Sequence, residues 1–323
     1  TDDNNCTSLP AIDTIIVKPA VTASFSAPTV CLNTPTSFDG SLSSSNSDEW
    51  TWEFFDPSVP GGSYTETNLT DTTSFTFTSP GWHQVILTTS EYLTAQTCVS
   101  TADTQQIYVW ALPQPIFTAD ITCEEDTTNL INNTPSIIIN PTSLLTDGNI
   151  TQYDWVFYDP PLCTGPACPN TSTYITNPNT NYLFGSANTF LVELTAYDDN
   201  GCSNTYNDSV TVVEHPTAQI ITDSGCDGES ISFDHNSMQN PLFSILEWNY
   251  STSGPGTYTM PNTPTLQNTA FQYSSPGTYQ VYLQIEDANG CIDSTSETIT
   301  IYNNPTANFV YSAVLCQNEP ITF

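Results

Sequence analysis

The sequence predicts an all-β protein built from tandem β-sandwich domains. Three observations carry this prediction. The sequence repeats itself roughly every 95 residues, apolar and polar residues alternate with a period of two, and clusters of Gly, Pro, Asn, Asp and Ser separate the alternating runs. A period of two places apolar side chains on one face of a strand, and such clusters between strands are typical of the turns in antiparallel sheets.

The repeat is marked by cysteines and prolines that recur in a fixed order. Each repeat has a first cysteine (Cys6, Cys98, Cys202, Cys291), then a proline (Pro19, Pro113, Pro216, Pro305), then a second cysteine (Cys31, Cys123, Cys226, Cys316). A period this long fits an array of domains rather than a solenoid. We expect three whole repeats at residues 19–112 (unit 1), 113–215 (unit 2) and 216–304 (unit 3).

The two ends of the chain carry pieces of the same pattern. Residues 1–18 contain a sheet-like run that matches the last strand of an upstream repeat, and residues 305–323 match the start of a downstream repeat. We therefore expect the chain to be a segment of a longer array.

Within each unit the strands and the core follow from the pattern. Runs such as Val281–Ile285 and Ile299–Ile301 alternate and are rich in β-branched residues. A tryptophan lies on an early strand of each unit: Trp52, Trp155 and Trp248. A unit of about 95 residues with strands every 8–12 residues and an early core tryptophan is typical of an immunoglobulin-like β-sandwich. We expect the three tryptophans to fill the three cores.

Charge excludes two classes of partner. The chain has one basic residue, Lys18, against 34 acidic residues, which gives a formal net charge of −33. Binding to nucleic acids and to anionic lipid surfaces depends on several Lys or Arg side chains. We therefore expect no nucleic acid partner. No run approaches the ~20 apolar residues of a membrane span, so we expect no direct membrane insertion.

Cysteine usage indicates disulfides in an extracellular protein. The chain has ten cysteines and lacks the paired Cys-x2-Cys spacing of zinc sites. Cys163 and Cys168 are the only close pair, and we expect them to close a local loop.

Two disulfide connectivities remain open. The simpler one pairs cysteines within a repeat, as Cys31–Cys98, Cys123–Cys202 and Cys226–Cys291. In a sandwich, however, the cysteine after each starting proline (Cys31, Cys123 or Cys226) lies beside the C-terminal pole of its unit. The cysteine before the last strand (Cys98, Cys202 or Cys291) lies beside the N-terminal pole. About ten strand residues, some 33 Å, separate these poles, whereas the Cα atoms of a disulfide lie within about 7 Å. We therefore favour bonds between consecutive units, Cys31–Cys202 and Cys123–Cys291.

Candidate sites other than disulfides are few. Glu124, Asp126 and Asp287 provide oxygen ligands in predicted loops and could bind calcium, with a solvated acidic loop as the alternative. No nucleophile beside a base is marked by any motif, so we expect no catalytic residue. We expect His215 and His235 to be solvated.

The motifs resemble polycystic-kidney-disease (PKD) type domains, and in particular the cysteine-bearing arrays of surface adhesins in gliding bacteria. The shared features are the Pro-x-Ala-x-Phe start at Pro305–Phe309, the Trp strand, Pro276-Gly-x-Tyr-x-Val281 and the Asn-Gly-Cys turn. The Trp-Asp-Phe-Gly-Asp-Gly stretch of the family is replaced here, for example by Trp52-Glu-Phe-Phe-Asp-Pro57. The resemblance implies export by the type IX secretion system and display on the cell surface.

These observations predict a non-enzymatic stalk segment of a filamentous cell-surface adhesin that serves attachment or gliding motility. Its partners would be neighbouring repeats of the same chain, together with a surface polysaccharide or the motility machinery. The alternative is an accessory carbohydrate-binding array of a secreted hydrolase. This alternative predicts exposed coplanar aromatic side chains on one unit, for which Trp82 and Trp110 are the candidates.

Overall fold

The computed structural model describes residues 3, 7, 17–27, 29–56, 61–93, 96–139, 146–158, 170–174 and 179–310. Every regular element in these residues is a strand, and none of them belongs to a helix that could cross a membrane. The strands form three β-sandwiches in tandem, so the predicted fold class is confirmed.

Unit 1 contains eight of the described strands. They are β1 (Val30–Cys31), β2 (Thr36–Asp39), β3 (Glu49–Phe55), β4 (Ser63–Asn68), β5 (Thr72–Phe75), β6 (Gly81–Leu93), β7 (Gln96–Val99) and β8 (Asp103–Trp110). One sheet has the order β1-β8-β6-β3-β4, with β7 paired to β6, and the opposite sheet is β2-β5.

Unit 2 has a similar arrangement. Its strands are β9 (Phe117–Ala119), β10 (Thr122–Cys123), β11 (Thr128–Asn132), β12 (Ile137–Ile139), β13 (Thr146–Tyr158), β14 (Asn170–Tyr174), β15 (Thr180–Tyr182), β16 (Asn188–Asp198) and β17 (Ser203–Val213). The larger sheet has the order β10-β17-β16-β13-β12, with β14 paired to β13, and the smaller sheet is β15-β11-β9.

Unit 3 divides its strands evenly between two sheets. The strands are β18 (Ile220–Thr222), β19 (Gly225–Cys226), β20 (Ser230–His235), β21 (Ile245–Thr252), β22 (Gly256–Tyr258), β23 (Thr269–Tyr273), β24 (Gly277–Asp287) and β25 (Ile292–Tyr302). The sheets have the orders β19-β25-β24-β21 and β18-β20-β23-β22.

Three separate cores lie between these sheet pairs, one in each unit. The burial pattern has the period of two that the sequence predicts. In β24, Val281, Leu283 and Ile285 are fully buried while Tyr282 between them is 45% exposed. The three expected tryptophans, Trp52, Trp155 and Trp248, are buried in the three cores.

Candidate functional site at the junctions between units

The cysteine that follows the starting proline of each unit (Cys31, Cys123 or Cys226) lies at the C-terminal pole of its sandwich. The two-residue strands β1, β10 and β19 each pair in parallel with the last strand of their own unit. Cys31 lies opposite Trp110, and Cys123 lies opposite Val213, which are the final residues of β8 and β17. Since the last strand leads into the linker, these cysteines face the following unit.

The later cysteine of each unit, which precedes the last strand, lies at the opposite pole. In units 2 and 3 it follows a tight turn with a glycine at positive φ, Gly201 at 84° and Gly290 at 86°. Glycine adopts this backbone conformation without a steric penalty. The turn therefore presents Cys202 or Cys291 at the N-terminal pole of its unit.

A buried aspartate closes each of these turns. Asp198 Oδ1 accepts hydrogen bonds from the backbone N–H groups of Asn200 (2.9 Å) and Cys202 (2.7 Å). In unit 3, Asp287 Oδ1 accepts the same two bonds from Asn289 and Cys291, both at 2.9 Å. The Asp-x-Asn-Gly-Cys sequence is thus a local motif that fixes the direction of the cysteine.

Two disulfides join the poles of consecutive units. Cys31 bonds to Cys202 and Cys123 bonds to Cys291, each with a Cα–Cα distance of 5.6 Å. These are the pairs that strand polarity favoured, and the pairs within a repeat do not form. We call the contact around Cys31–Cys202 junction 1–2 and the contact around Cys123–Cys291 junction 2–3.

Junction 1–2 is held by a carboxylate of unit 2. Asp147 is 1% exposed, and its Oδ1 accepts a hydrogen bond from the Tyr108 hydroxyl at 2.5 Å. Its Oδ2 accepts a hydrogen bond from the backbone N–H of Ala111, the first residue after β8, at 2.6 Å. The Asn200 side-chain amide donates to the backbone carbonyl of Asp147 at 2.9 Å. Charged hydrogen bonds of this kind stabilise a contact more than neutral ones.

An apolar groove of about 390 Å³ lies beside these contacts. Leu32 of unit 1, Leu112 of the linker and the strand β12 of unit 2 line it. Two of the β12 side chains, Ile137 and Ile139, are about half exposed.

Junction 2–3 is held by an amide of unit 3. The Asn240 side-chain amide donates to the backbone carbonyl of Glu214, the first residue after β17, at 3.2 Å, and to Asp287 Oδ2 at 2.6 Å. Asn240 Oδ1 accepts the backbone N–H groups of Leu242 and Phe243, at 2.8 and 2.7 Å. These two bonds fix which end of the amide faces Asp287.

A histidine bridges the same junction. The His215 ring places Nε2 2.8 Å from the carbonyl oxygen of Glu124 in unit 2, and Nδ1 2.9 Å from the carbonyl oxygen of Ile292 in unit 3. A carbonyl oxygen only accepts hydrogen bonds, so both bonds form together when the ring carries two N–H groups. The expectation that His215 is solvated is therefore wrong, because its ring lies between units 2 and 3 and contacts a backbone carbonyl of each.

The disulfide of junction 2–3 is part of an apolar cluster. Cys123, Cys291 and Val213 are 6%, 1% and 4% exposed, and Phe243 packs against them. Cys31 of the other disulfide is only partly buried. Junction 2–3 therefore has the drier disulfide.

The two turn aspartates differ in their second oxygen. Asp287 Oδ2 accepts the Asn240 amide, whereas Asp198 Oδ2 is buried and has no hydrogen-bond partner among the residues that the structure describes. Burial raises the pKa of Asp198 above its usual value, against the opposing effect of the backbone N–H groups of Cys202 and Asn200. Burial therefore destabilises the ionised form of Asp198 in unit 2. In unit 3 the hydrogen bond from the Asn240 amide compensates Asp287 for the same loss of water.

The structure does not bring the three calcium candidates together as a site. Glu124 and Asp126 follow β10, and Asp287 ends β24 with both carboxylate oxygens occupied by hydrogen bonds. Within the described ranges, no group of three or more His, Cys, Asp or Glu side chains is placed to hold a metal ion. Sequence reasoning recognised Asp287 as a functional position but assigned it to calcium rather than to the turn and the junction.

The remaining cysteines fall into two groups. Cys98 and Cys226 are described and free. Cys6, Cys316 and the expected pair Cys163–Cys168 lie outside the described residues.

Comparisons with known proteins identify the repeat. The family described as PKD domain matches residues 213–301, which is almost the whole of unit 3. Unit 3 is a PKD-type repeat. No curated protein matches the sequence. A PKD-type repeat and disulfides together indicate an extracellular protein.

Several solved structures resemble the chain at low identity. The fibronectin(III)-like modules of Clostridium thermocellum CbhA match at 11% identity and a TM-score of 0.31, covering 60% of this chain and 100% of that one. Chicken CNTN1 domains FN1–FN3 match at 11% identity and 0.31, covering 88% and 98%. A 1.5-MDa bacterial ice-binding adhesin matches at 9% identity and 0.36, covering 88% and 98%.

Proposed function

We propose that this chain is a non-enzymatic stalk segment of a filamentous cell-surface adhesin, in which each disulfide fixes one PKD-type sandwich on the next. The observation that carries the proposal is the connectivity of Cys31–Cys202 and Cys123–Cys291. A bond within one unit stabilises that unit alone. A bond between units restrains their relative rotation and turns a flexible array into a stiff one.

The two disulfides also limit how far the chain extends under tension. The rings they close, of 171 and 168 residues, overlap between residues 123 and 202. Three chain segments, 31–123, 123–202 and 202–291, therefore connect the two disulfides in parallel. The shortest of them, 123–202, becomes taut first and bears the load, so the other two stay slack even when the sandwiches unfold.

Composition supports a surface role. The net charge of −33 disfavours collapse and association between neighbouring filaments at low salt. Attachment or gliding motility as the purpose of the filament, and export by the type IX secretion system, rest on the resemblance of the motifs to those of gliding-bacterium adhesins.

Stretching single molecules by their ends tests this proposal. Unfolding the oxidised protein is expected to expose only the shortest path between the disulfides. Reduction is expected to add roughly 180 residues of extensible chain between residues 31 and 291, about 600 Å at ~3.3–3.6 Å per residue. Equal final lengths with and without reductant would contradict the proposal.

A second candidate function is carbohydrate binding by unit 1. Trp82 is 68% exposed, and its ring lies 5.0 Å from Tyr108, which in turn lies 4.6 Å from Trp110. Each of these two neighbouring ring pairs is edge-to-face, at 72° and 65°, and the three rings form a continuous ridge. Units 2 and 3 have threonines at the Trp82 and Tyr108 positions (Thr189, Thr211, Thr278 and Thr300).

Retention on insoluble polysaccharides tests the second candidate. Trp82→Ala is expected to abolish retention if the ridge binds sugar rings. Tyr282→Ala removes an exposed aromatic side chain from unit 3 and serves as the matched control. Equal retention of both variants and the native chain would eliminate the ridge as a binding site.

A further inference from the structure

The C-terminal pole of unit 3 has the same local structure as the poles of units 1 and 2. Cys226 lies in β19, paired in parallel with the end of β25, and it faces Tyr302 as Cys31 faces Trp110 and Cys123 faces Val213. The cysteine is exposed and free.

The turn after Cys226 also repeats the turns after the two bonded cysteines. The N–H of Asp227 donates to the carbonyl of Tyr302 at 2.9 Å, and the N–H of Glu229 donates to the carbonyl of Cys226 at 3.0 Å. The same pair of bonds follows Cys31, where Leu32 and Thr34 donate, and Cys123, where Glu124 and Asp126 donate. The second residue after each cysteine has positive φ: Asn33 at 57°, Glu125 at 66° and Gly228 at 79°.

The linker after unit 3 begins as the linker after unit 2 does. The Asn304 side-chain amide donates to the carbonyl of Asp227 at 2.7 Å. His215 makes the corresponding contact with the carbonyl of Glu124 at 2.8 Å. Asn304 and His215 each directly precede the proline that starts the next repeat, so the linker direction is set by the same contact at both poles.

We propose that Cys226 forms a third inter-unit disulfide, and that its partner is the cysteine before the last strand of a further PKD-type unit that follows unit 3. This inference rests on the proposed stalk function and extends its junctions beyond the two that are bonded here. A turn of Asp-x-x-Gly-Cys type on the partner unit would present its thiol to Cys226, as the turns before Cys202 and Cys291 do to Cys31 and Cys123.

The bond forms by thiol–disulfide exchange with a small-molecule disulfide such as oxidised glutathione. The thiolate of one cysteine attacks the small disulfide and releases one thiol. The second cysteine then attacks the mixed disulfide, forms the protein S–S bond and releases the other thiol. Two protein thiols are oxidised, and one small disulfide is reduced to two thiols.

Extension of the chain tests the proposal. Residues 305–323 are replaced by a second copy of residues 113–215, which brings the copied Cys202 to 168 residues after Cys226, the spacing of Cys123 and Cys291. After refolding in glutathione buffer, alkylation of Cys226 under native conditions is expected to be lost, and peptide mapping is expected to find Cys226 bonded to the copied Cys202. The control has serine in place of that copied cysteine, and its Cys226 is expected to remain labelled.

A second extension guards against a copy that fails to fold. It carries a copy of residues 216–304 and so presents the turn of Cys291 to the same pole. A free Cys226 in both extensions would overturn the proposal, as would a bond from Cys226 to Cys98 of a second molecule. If Cys31–Cys202 and Cys123–Cys291 are intact in the same maps, that failure leaves the proposed stalk function standing.

Discussion

At both junctions a hydrogen bond holds the first residue after the last strand against the next unit, but the direction of donation is opposite in junctions 1–2 and 2–3. At junction 1–2 the first residue after the last strand, Ala111, donates its N–H to a carboxylate of the next unit, Asp147. At junction 2–3 the equivalent residue, Glu214, accepts through its carbonyl from an amide of the next unit, Asn240. The disulfide occupies the same place in both. The covalent bond is thus the shared feature, and the polar contacts vary around it.

The two junctions also differ in how well they satisfy the aspartate that closes the turn before the cysteine. Asn240 serves both the linker and Asp287, so both oxygens of that buried carboxylate are satisfied. Asp147 is itself an acceptor and bonds to the Ala111 N–H and to Tyr108, while one buried oxygen of Asp198 has no partner in the described part of the chain. Junction 2–3 is therefore the better satisfied of the two.

Removal of the disulfides is expected to have the largest effect. Replacing both cysteines of either pair by alanine opens a ring of 171 or 168 residues, and loop entropy alone predicts a loss of roughly 5 kcal/mol. Cys123→Ala/Cys291→Ala is expected to cost more than Cys31→Ala/Cys202→Ala, because it also leaves a cavity beside Val213 and Phe243.

Denaturant unfolding of the two double variants measures this difference. The native chain under reducing conditions serves as the control for loss of both bonds. Equal stability of the two variants would mean that the apolar cluster at junction 2–3 contributes nothing beyond the covalent bond.

Asparagine substitutions at the two turn aspartates are expected to have opposite effects. Asp287→Asn keeps the acceptor for the turn but sets an NH2 group against the NH2 of Asn240, and is expected to cost about 1–3 kcal/mol. Asp198→Asn replaces a buried carboxylate oxygen that lacks a partner with a neutral group, and is expected to leave stability at neutral pH unchanged or raised. Thermal melting of the matched pair measures the effect. Equal destabilisation by both substitutions would contradict this account of the turns.

A smaller loss is expected from the polar contacts across the junctions. Tyr108→Phe removes one hydrogen bond to the buried carboxylate of Asp147 and is expected to cost about 1.5 kcal/mol. His215→Ala removes the two contacts that bridge Glu124 and Ile292, at a similar cost. Hydrogen exchange of the linker amides is expected to accelerate only at the junction that was changed. Acceleration at both junctions would show that the two are coupled.

The smallest expected effect is the pH dependence that Asp198 contributes in unit 2. The raised pKa of Asp198 means that folding disfavours its ionised form, so the unfavourable contribution is present at neutral pH. It is relieved as the pH falls towards the usual aspartate range. The difference in melting temperature between Asp198→Asn and the native chain is therefore expected to shrink between pH 7 and about pH 4.5. A difference that stays constant over this range would remove the desolvation argument.

The sequence predicts the sheets and the disulfides because both depend on strand direction. Period-two burial identifies which side chains enter each core, and the order of cysteines around the strands places Cys31 and Cys202 at facing poles. The polar contacts could not be found in this way. Asp147, Asn240 and His215 lie in no shared motif, and each meets its partner only after two units are set side by side by the disulfide and the linker.

The calcium prediction was drawn from the acidic character of Glu124, Asp126 and Asp287, but the carboxylate of Asp287 is bonded to backbone and amide groups. Asp287 attracted notice as one of a cluster of carboxylates, yet its oxygens accept bonds from Asn240, Asn289 and Cys291. The repeated Asp-x-Asn-Gly-Cys pattern was the signal that pointed to a turn instead. An acidic residue four positions before a cysteine, in two units, is a local geometric requirement.

Direct mapping of the disulfides tests the central claim, that covalent bonds join consecutive units. The chain has a single Lys, so a protease that cuts at acidic residues is used under non-reducing conditions, followed by mass spectrometry of the linked peptides. The expected result is Cys31 linked to Cys202 and Cys123 linked to Cys291. Linked peptides that join Cys31 to Cys98, Cys123 to Cys202 or Cys226 to Cys291 would contradict the account, because each of those bonds lies within one unit.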